Sequence, residues 1–467
     1  MPPTMALCAR SRAARTRAQP NAWPLFHSNL LVQPETYAAD LATLLELRDA
    51  HAPGARVAGP GTAFWPTLGE VPAVGRVPGL PPLAVVRQYM CRVAAEGARL
   101  GATPDILTWH YYPGLSDRSA LAKYRPSLSA LAAAAAPACV LPVLAAAASA
   151  PPLLAAAAVA AASLALLGGA VRRAVRPVTL RSLRQPEQLD TVVDLAREAH
   201  RAVDAACATE AAHADGADGA TSGCRPALWL GETGSAQVGG QPGVSGRWAA
   251  ALWWIDQLGA LALLGHAVQC RQTLCGSDYG LLDEATLEPA ADYWASVLWK
   301  RLMGPRAFAV STMDAAQDAA QDAPQDAPQD APQDAPQDAP QVASGARQGF
   351  PHGAENHKLL RLYCHDVPPA WHAATERTRT FLAINLGEAA VELDLGLPAG
   401  AEAEVWVLDA PTLESRTVTI NGVPAVAHPD GTLPELRPAR TQLPLVPAGA
   451  ALFAMCEPGW CWATLPR

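Results

Sequence analysis

The stretch Ala227–Gly231, ALWLG, runs straight into Glu232, Thr233 and Gly234, and its reading decides the fold. A short apolar run that ends on a carboxylate beside glycine has the pattern of a buried strand stopping at a loop. Before it, Leu189–Ala206 (LDTVVDLAREAHRAVDAA) repeats apolar residues at helical spacing. After it, the stretch around Arg247–Leu264 reads as a helix that leads to a further short strand, Ala267–Arg271. Upstream, a helix at Ala38–Asp49 feeds a strand at Ala55–Gly59, and a helix at Leu83–Leu100 feeds a strand at Asp105–Trp109. Strand and helix thus alternate through four units, as a parallel α/β barrel requires. The loops after the strands line the active site of such a barrel. Glu232 stands at one strand end, and His110, Tyr111 and Tyr112 at another.

Beyond Pro305 the pattern changes to short β-like runs: Leu359–Tyr363, Thr380–Asn385, Ala390–Leu395, Glu404–Leu408, Arg416–Ile420 and Ala450–Met455. Turn formers such as Asn421-Gly422 separate them, and the expectation is a C-terminal β-sandwich. Two biased tracts interrupt the scheme. Residues 314–341 repeat Ala, Pro, Gln and Asp with almost no apolar bulk, and are expected to form a disordered loop. Residues 127–176 are an Ala-rich insertion in which Leu153–Val171 carries no charge and is followed by Arg172, Arg173 and Arg176. That run meets the minimum length of a membrane span, but alanine is only marginally hydrophobic and the tract falls between two barrel elements, which favours an unstructured or loosely helical insertion.

The 467 residues allow two or three domains. A net charge of -8 with 17% charged residues excludes a general affinity for nucleic acid or anionic membranes, so any polyanion site is local. The ten cysteines lack paired C-x-x-C spacing, so a cysteine metal site is not expected. Cys364 and Cys461 stand at the ends of the C-terminal region as either a disulfide closing a long loop or buried thiols. There is no Asn-x-Ser/Thr acceptor site. The first eighteen residues carry Arg10, Arg12, Arg15 and Arg17 without an acidic residue, more like a transit peptide than a secretory signal.

The block from Ala227 to Arg306 contains ALWLGETGSA, WWIDQLG, CRQTLCGSDYGLLD and PAADYWASVLWKRLMGP; LTWHYYPG precedes it, and LRLYCHDV, TRTFLAINLG and TVTINGVPAV follow. With QPNAWPLFHSNLLVQPETYAADL near the start, these motifs resemble the heparanase-type glycoside hydrolases, family 79, which include plant β-glucuronidases. The resemblance implies a (β/α)8 TIM-type barrel followed by a β-sandwich, cleaving β-linked glucuronic acid with retention of configuration and without metal or cofactor. In that chemistry one carboxylate attacks the anomeric carbon and a second protonates the leaving oxygen. Glu232 falls at the family's nucleophile position. His110 and Tyr112 match a pair that contacts the sugar and can hydrogen-bond to the nucleophile or to the substrate carboxylate, and Tyr279 matches a tyrosine bordering the glycone pocket, with Gly276 and Asp278 beside it. Gly239 and Gly240 match a loop whose amides hold the glucuronate carboxylate. Arg271 and Gln272 are expected to support the site rather than touch substrate. The implied partners are glucuronic-acid-containing glycans or glucuronides, with membrane association through 153–171 as a further expectation. The implied compartments are extracellular, lysosomal or vacuolar, or membrane-associated.

Three positions depart from the family's pattern. Gln19, in Ala18-Gln19-Pro20-Asn21, occupies the place of the acid/base glutamate of Asn-Glu-Pro-Asn. Glutamine cannot donate that proton, and general acid–base catalysis contributes ~10²–10⁴-fold. Asp278 stands where asparagine is common, and Val238 where an aromatic residue is. With the acid/base motif at residue 19, the first four strand–helix units have no counterpart, so the barrel is expected to be incomplete. The expected organisation is an unrelated Arg-rich leader over 1–18, a partial barrel over 19–306 and a β-sandwich over 307–467. A truncated gene product or a non-catalytic, carbohydrate-binding pseudoenzyme is the alternative to an active glycosidase.

Overall fold

The computed structural model describes residues 6–7, 32–66, 69–70, 73–75, 84–119, 177–214, 225–310, 359–368, 379–393, 395, 397, 399–442 and 444–456. The chain divides into two units. The first is Met1–Ser296 with Thr412–Thr417 and Val426–Thr432; the second is Val297–Pro411, Val418–Ala425 and Leu433–Arg467. Gln19, the 153–171 run, the 314–341 repeat and Cys461 lie outside the described residues.

In the first unit, chain order runs β1 (Ala6–Leu7), α1 (Pro34–His51), β2 (Arg56–Trp65), β3 (Gly69–Glu70), α2 (Tyr89–Arg99) and β4 (Ile106–Tyr111), then α3 (Pro186–Ala214), β5 (Ala227–Thr233), α4 (Trp248–Leu263) and β6 (His266–Arg271). The sheet order is β1-β2-β4-β5-β6, all parallel, with β3 antiparallel on β2. Strand order therefore follows chain order without reversal. A doubly wound sheet reverses at a switch point, whereas monotonic order with right-handed crossovers keeps all helices on one face. Consistent with a single layer, α1 packs on α2, α2 on α3 and α3 on α4. This is the arrangement of a (β/α) barrel left open. Among the described residues the sheet does not close, with β1 at one edge and β6 at the other. Ala6–Leu7 pairs in parallel with Arg56 and Val57 on the edge of β2.

The alternation of side chains along the strands sets the two faces. Leu107, Trp109, Tyr111, Leu228 and Leu230 are buried against Met90 and Ala94 of α2 and Val192, Leu195, Ala199 and Val203 of α3. Burial of each large apolar side chain contributes about 1.5–3 kcal/mol. Thr108, His110 and Trp229 consequently face the other way, toward what would be the interior of a closed barrel.

Two ionisable groups in this unit, Glu70 half-buried and His266 buried, give it a pH window. Burial, with the charge of Glu198 adding to it and the backbone hydrogen bond from Met90 opposing it, leaves the Glu70 carboxyl pushed up to about 7. Burial and neighbouring His200 push His266 down to about 3. A raised carboxyl stabilises the fold below its ordinary value of 4.5, and that contribution disappears as pH rises toward 7. A depressed histidine stabilises it above 6.5, and that contribution disappears as pH falls toward 3. Glu70→Gln mimics the protonated acid and is therefore expected to raise stability at pH 8 by up to about 3 kcal/mol and leave it unchanged at pH 4.5. Thermal unfolding at the two pH values checks this; an equal shift at both would contradict it.

The second unit is antiparallel. Its strands are β7 (Ala307–Phe308), β8 (Leu360–Asp366), β9 (Arg379–Asn385), β10 (Ala403–Asp409), β11 (Thr419–Ile420), β12 (Val423–Pro424), β13 (Ala439–Thr441) and β14 (Ala451–Cys456). They lie in the order β12-β11-β10-β14-β9-β8-β7, with β13 on β10. The layer facing them is small: Val391–Glu392 pairs with Leu445–Val446. Leu393, Leu395 and Val446 close over Phe381, Ala383, Val405, Leu452 and Ala454. The Asn421-Gly422 turn has φ of 51° and 76°, as a tight hairpin turn demands. The Asn421 side chain also accepts from Val407 N at 2.8 Å and donates to Val405 O at 3.0 Å, pinning the turn to β10.

Candidate active site

Strand register brings the candidate residues together. Between β4 and β5, Trp109 pairs with Leu230 but His110 pairs with Glu232, so Gly231 is an extra residue on β5. Without this bulge Glu232 would follow Leu228 and Leu230 toward the helices; the one-residue slip turns its carboxylate onto the face of His110. Glycine suits the bulge because a Cβ there would meet the Thr108 side chain at 3.2 Å.

The Glu232 carboxylate meets Tyr112 and His110. The Tyr112 hydroxyl lies 2.6 Å from Oε1, and His110 Nδ1 lies 3.3 Å from Oε2. The same hydroxyl is 2.7 Å from the Gln272 side-chain amide. A phenol has one proton and an ionised carboxylate only accepts. The Tyr112 hydroxyl thus stands between two acceptors, Glu232 Oε1 and Gln272 Oε1, and its one proton serves the carboxylate at the shorter distance. Burial first, and then the Glu232 charge, raise the Tyr112 pKa, so the hydroxyl keeps its proton. Burial lowers His110 despite the opposing pull of Glu232, so the imidazole is neutral near pH 7. Tyr112→Phe removes the donor but not the ring. On the catalytic reading it is expected to lower kcat about 10- to 100-fold with KM little changed, as loss of one hydrogen bond to a reacting carboxylate does. Steady-state kinetics would contradict this if KM alone rose.

A buried ion pair supports the network from behind. Arg271 Nη2 lies 2.6 Å from Asp292 Oδ2, with side chains only 5% and 2% exposed. Asp292 opens helix α5 (Ala291–Leu302). Arg271 also donates to the carbonyl of Gln272 and lies 5.6–5.9 Å from the rings of Trp253, Trp254 and Tyr279. Burial raises the Asp292 carboxyl, and Arg271 opposes it.

Tyr279 lies on the other side of Gly234 from Tyr112. Burial and Glu232 raise its pKa, while Arg271, a hydrogen bond with Tyr112 and one with the Gly239 backbone act against them. The Gly239 amide is thus joined to Tyr279. Gly239 and Gly240 have φ of 83° and 90°, and a Cβ on Gly240 would lie 2.9 Å from Tyr279 N, so the turn requires glycine there. Gly234 is equally constrained, since a Cβ would stand 3.0 Å from the Tyr112 ring and 3.1 Å from that of Tyr279. Asp278 N donates to Gly239 O at 2.8 Å, and its carboxylate pairs with Arg118 Nη1 at 2.6 Å.

Of the residues singled out from sequence, Glu232, His110, Tyr112, Tyr279, Asp278, Gly239 and Gly240 form one cluster at the C-terminal ends of β4, β5 and β6. Gln19 lies outside the described residues. Gln272 lies against Tyr112, the tyrosine beside Glu232. Arg118 is paired with Asp278 in the cluster, and the part played by Asp292 comes from its ion pair with Arg271, which no motif marks. Among the described residues no group of three His, Cys, Asp or Glu side chains is placed to hold a metal ion. No described helix is long and apolar enough to cross a membrane.

No known protein family's profile matches the chain. It is similar to curated glycosidases over a limited stretch. Baicalin-β-D-glucuronidase of Scutellaria baicalensis is 43% identical over 84 residues, 18% of this chain and 16% of the relative. Heparanase-like protein 1 of Arabidopsis thaliana is 45% identical over 84 residues, again 18% and 16%. Heparanase of Mus musculus is 49% identical over 80 residues, 17% and 15%. The match therefore spans about one sixth of each relative's length. Among solved structures, a family 44 xyloglucanase of Paenibacillus polymyxa superposes with a TM-score of 0.44 at 11% identity, covering 94% of this chain and 65% of that one. A 4-O-α-L-rhamnosyl-β-D-glucuronidase of Fusarium oxysporum gives 0.35 at 11%, covering 88% and 79%. The fold assignment stands on strand order rather than on superpositions at these scores.

Proposed function

We propose that the chain is a retaining glycoside hydrolase of the heparanase/β-glucuronidase type, acting on β-linked glucuronic acid with Glu232 as nucleophile. One observation carries the reading: a carboxylate at a parallel-strand terminus, held by a tyrosine hydroxyl at 2.6 Å and a neutral histidine at 3.3 Å. The named relatives, a β-glucuronidase and heparanases, support the same class.

In the first step a Glu232 oxygen bonds to the anomeric carbon as the glycosidic C–O bond breaks, giving a glycosyl ester. Water then attacks the anomeric carbon, loses a proton to the solvent and breaks the ester C–O bond, releasing the sugar with Glu232 restored as a carboxylate, so two inversions give net retention. Tyr112 and His110 hold the carboxylate in one orientation throughout. The leaving oxygen must take a proton, and at the position matched to the family's acid stands Gln19, which cannot supply it. Substrates with acidic leaving groups need that proton least. Hydrolysis of 4-nitrophenyl β-D-glucuronide by the full chain, with the product followed by proton NMR, tests the reading: the β-anomer should appear first, and α-anomer appearing first would reject it.

Gln19 favours a second reading, a carbohydrate-binding protein that retains the pocket without turnover. Calorimetry would then show glucuronide binding while no nitrophenol is released.

A further inference from the structure

We propose that Gln257, buried on α4, is a positioning residue for Glu232: it locks Thr233, the residue at which β5 resumes its pairing beyond the bulge. The proposal rests on reading Glu232 as the nucleophile. On the β4 side Trp109 pairs with Leu230 and His110 with Glu232, which leaves Gly231 out. On the β6 side Leu230 pairs with Gln269, and the next pair is Thr233 with Arg271, so β6 skips Glu232 altogether. The nucleophile thus sits in an interrupted ladder, and the residue that restores the ladder on both sides is Thr233. Whatever fixes Thr233 fixes the direction of the carboxylate before it.

Side chains alternate between the faces of a strand, so Thr233 points away from the pocket, toward α4, while Glu232 points into it. Thr233 and Gln257 are 0% and 1% exposed. Gln257 Nε2 donates to Thr233 Oγ1 at 3.2 Å and to Gln269 Oε1 at 3.5 Å. Gln269 Nε2 in turn donates to Leu258 O at 3.1 Å, so this run of bonds starts and ends on α4 and takes in both strands. The Thr233 carbonyl accepts from Gln272 N at 2.8 Å, and the Gln272 side chain lies against Tyr112. One threonine therefore joins the helix, the end of β6 and the tyrosine beside Glu232. On α4 the amide is buried along with Trp253, Trp254, Ile255 and Leu258. An amide among such neighbours is costly unless its hydrogen bonds are made, and Thr233 and Gln269 make them.

Gln257→Met keeps the length of the side chain without its hydrogen bonds, and Thr233→Val does the same for the other partner. With 4-nitrophenyl β-D-glucuronide and the full chain, each is expected to lower kcat about tenfold with KM unchanged, and the two together about tenfold rather than about a hundredfold, because they remove one shared bond. The double variant leaves no hydroxyl facing a methionine and folds even if a single variant does not. Hydrogen exchange reads the same lock without substrate. The Gln272 amide, bound to Thr233 O, is expected to exchange about tenfold faster in Gln257→Met, while the Ala227 amide, bound to Asp105 O at the other end of β5, keeps its rate. Losses that multiply in the double variant, a change in KM alone, or equal acceleration of both amides overturns the proposal. If the Gln272 amide alone accelerates and wild type releases no nitrophenol, the lock on Thr233 stands and the nucleophile reading falls. If wild type turns over and Gln257→Met changes neither kcat nor the exchange of Gln272, the nucleophile reading stands and the lock falls.

Discussion

Glu232→Ala is expected to lower the turnover of an activated aryl β-glucuronide by ~10⁴–10⁶-fold, the cost of removing a covalent nucleophile. The size follows from the chemistry rather than from folding. The Glu232 side chain is 32% exposed at the end of β5 and its carboxylate meets Tyr112 and His110 at a pocket wall, so its removal leaves no cavity among packed apolar groups. Unfolding midpoints of wild type and variant should agree within about 1 kcal/mol. An aryl leaving group is the informative substrate because it departs without much help from an acid, and Gln19 is not one. Unchanged turnover in Glu232→Ala would assign any activity to another group.

The second large effect is on stability. Asp292→Ala leaves Arg271 charged, 5% exposed and without its carboxylate among three aromatic rings. Removing one partner of a buried pair costs about 3–5 kcal/mol, far more than the pair itself contributes, because an uncompensated charge remains. The damage should reach the pocket as well, since Arg271 holds the Gln272 carbonyl and Gln272 contacts Tyr112. Replacing both partners, Arg271→Met with Asp292→Leu, should recover much of the lost stability but not the pocket geometry. Urea unfolding measures the first and glucuronide binding the second. A single variant as stable as wild type would show that the pair is not buried in solution.

The strand–helix rhythm was legible because each element of the first unit buries one face. The ends of β2, β4, β5 and β6 lie within a few residues of the runs read from ALWLG and its counterparts, except that β2 continues to Trp65. Elsewhere local geometry overrode periodicity. Leu83–Leu100 reads as one helix, yet Ala84–Val86 is a strand and the helix begins only at Tyr89. Gln88 between them has φ of 51°, a left-handed break that no side-chain pattern announces. Helix α3 outruns Leu189–Ala206 at both ends, through Pro186 at its first turn and the alanine-rich ATEAAHA segment. Alanine's high helix propensity adds turns without an apolar stripe.

The site was legible from motif resemblance, and its geometry was not. Nothing in ALWLGET marks Gly231 as a bulge, although that single extra residue turns Glu232 toward His110. The Arg271–Asp292 and Arg118–Asp278 pairs join residues far apart in the chain, and spacing carries no sign of them. Asp278 alone suggested an extra negative charge beside a uronate; with Arg118 against it, the same residue becomes a neutralised pair.

As the proposed nucleophile, Glu232 must bond covalently to a sugar. Incubation of the full chain with an activated 2-deoxy-2-fluoro-glucuronide, followed by mass spectrometry of its peptides, detects that bond. One added glycosyl group is expected on Glu232, lost in Glu232→Ala. A label on any other side chain would contradict it.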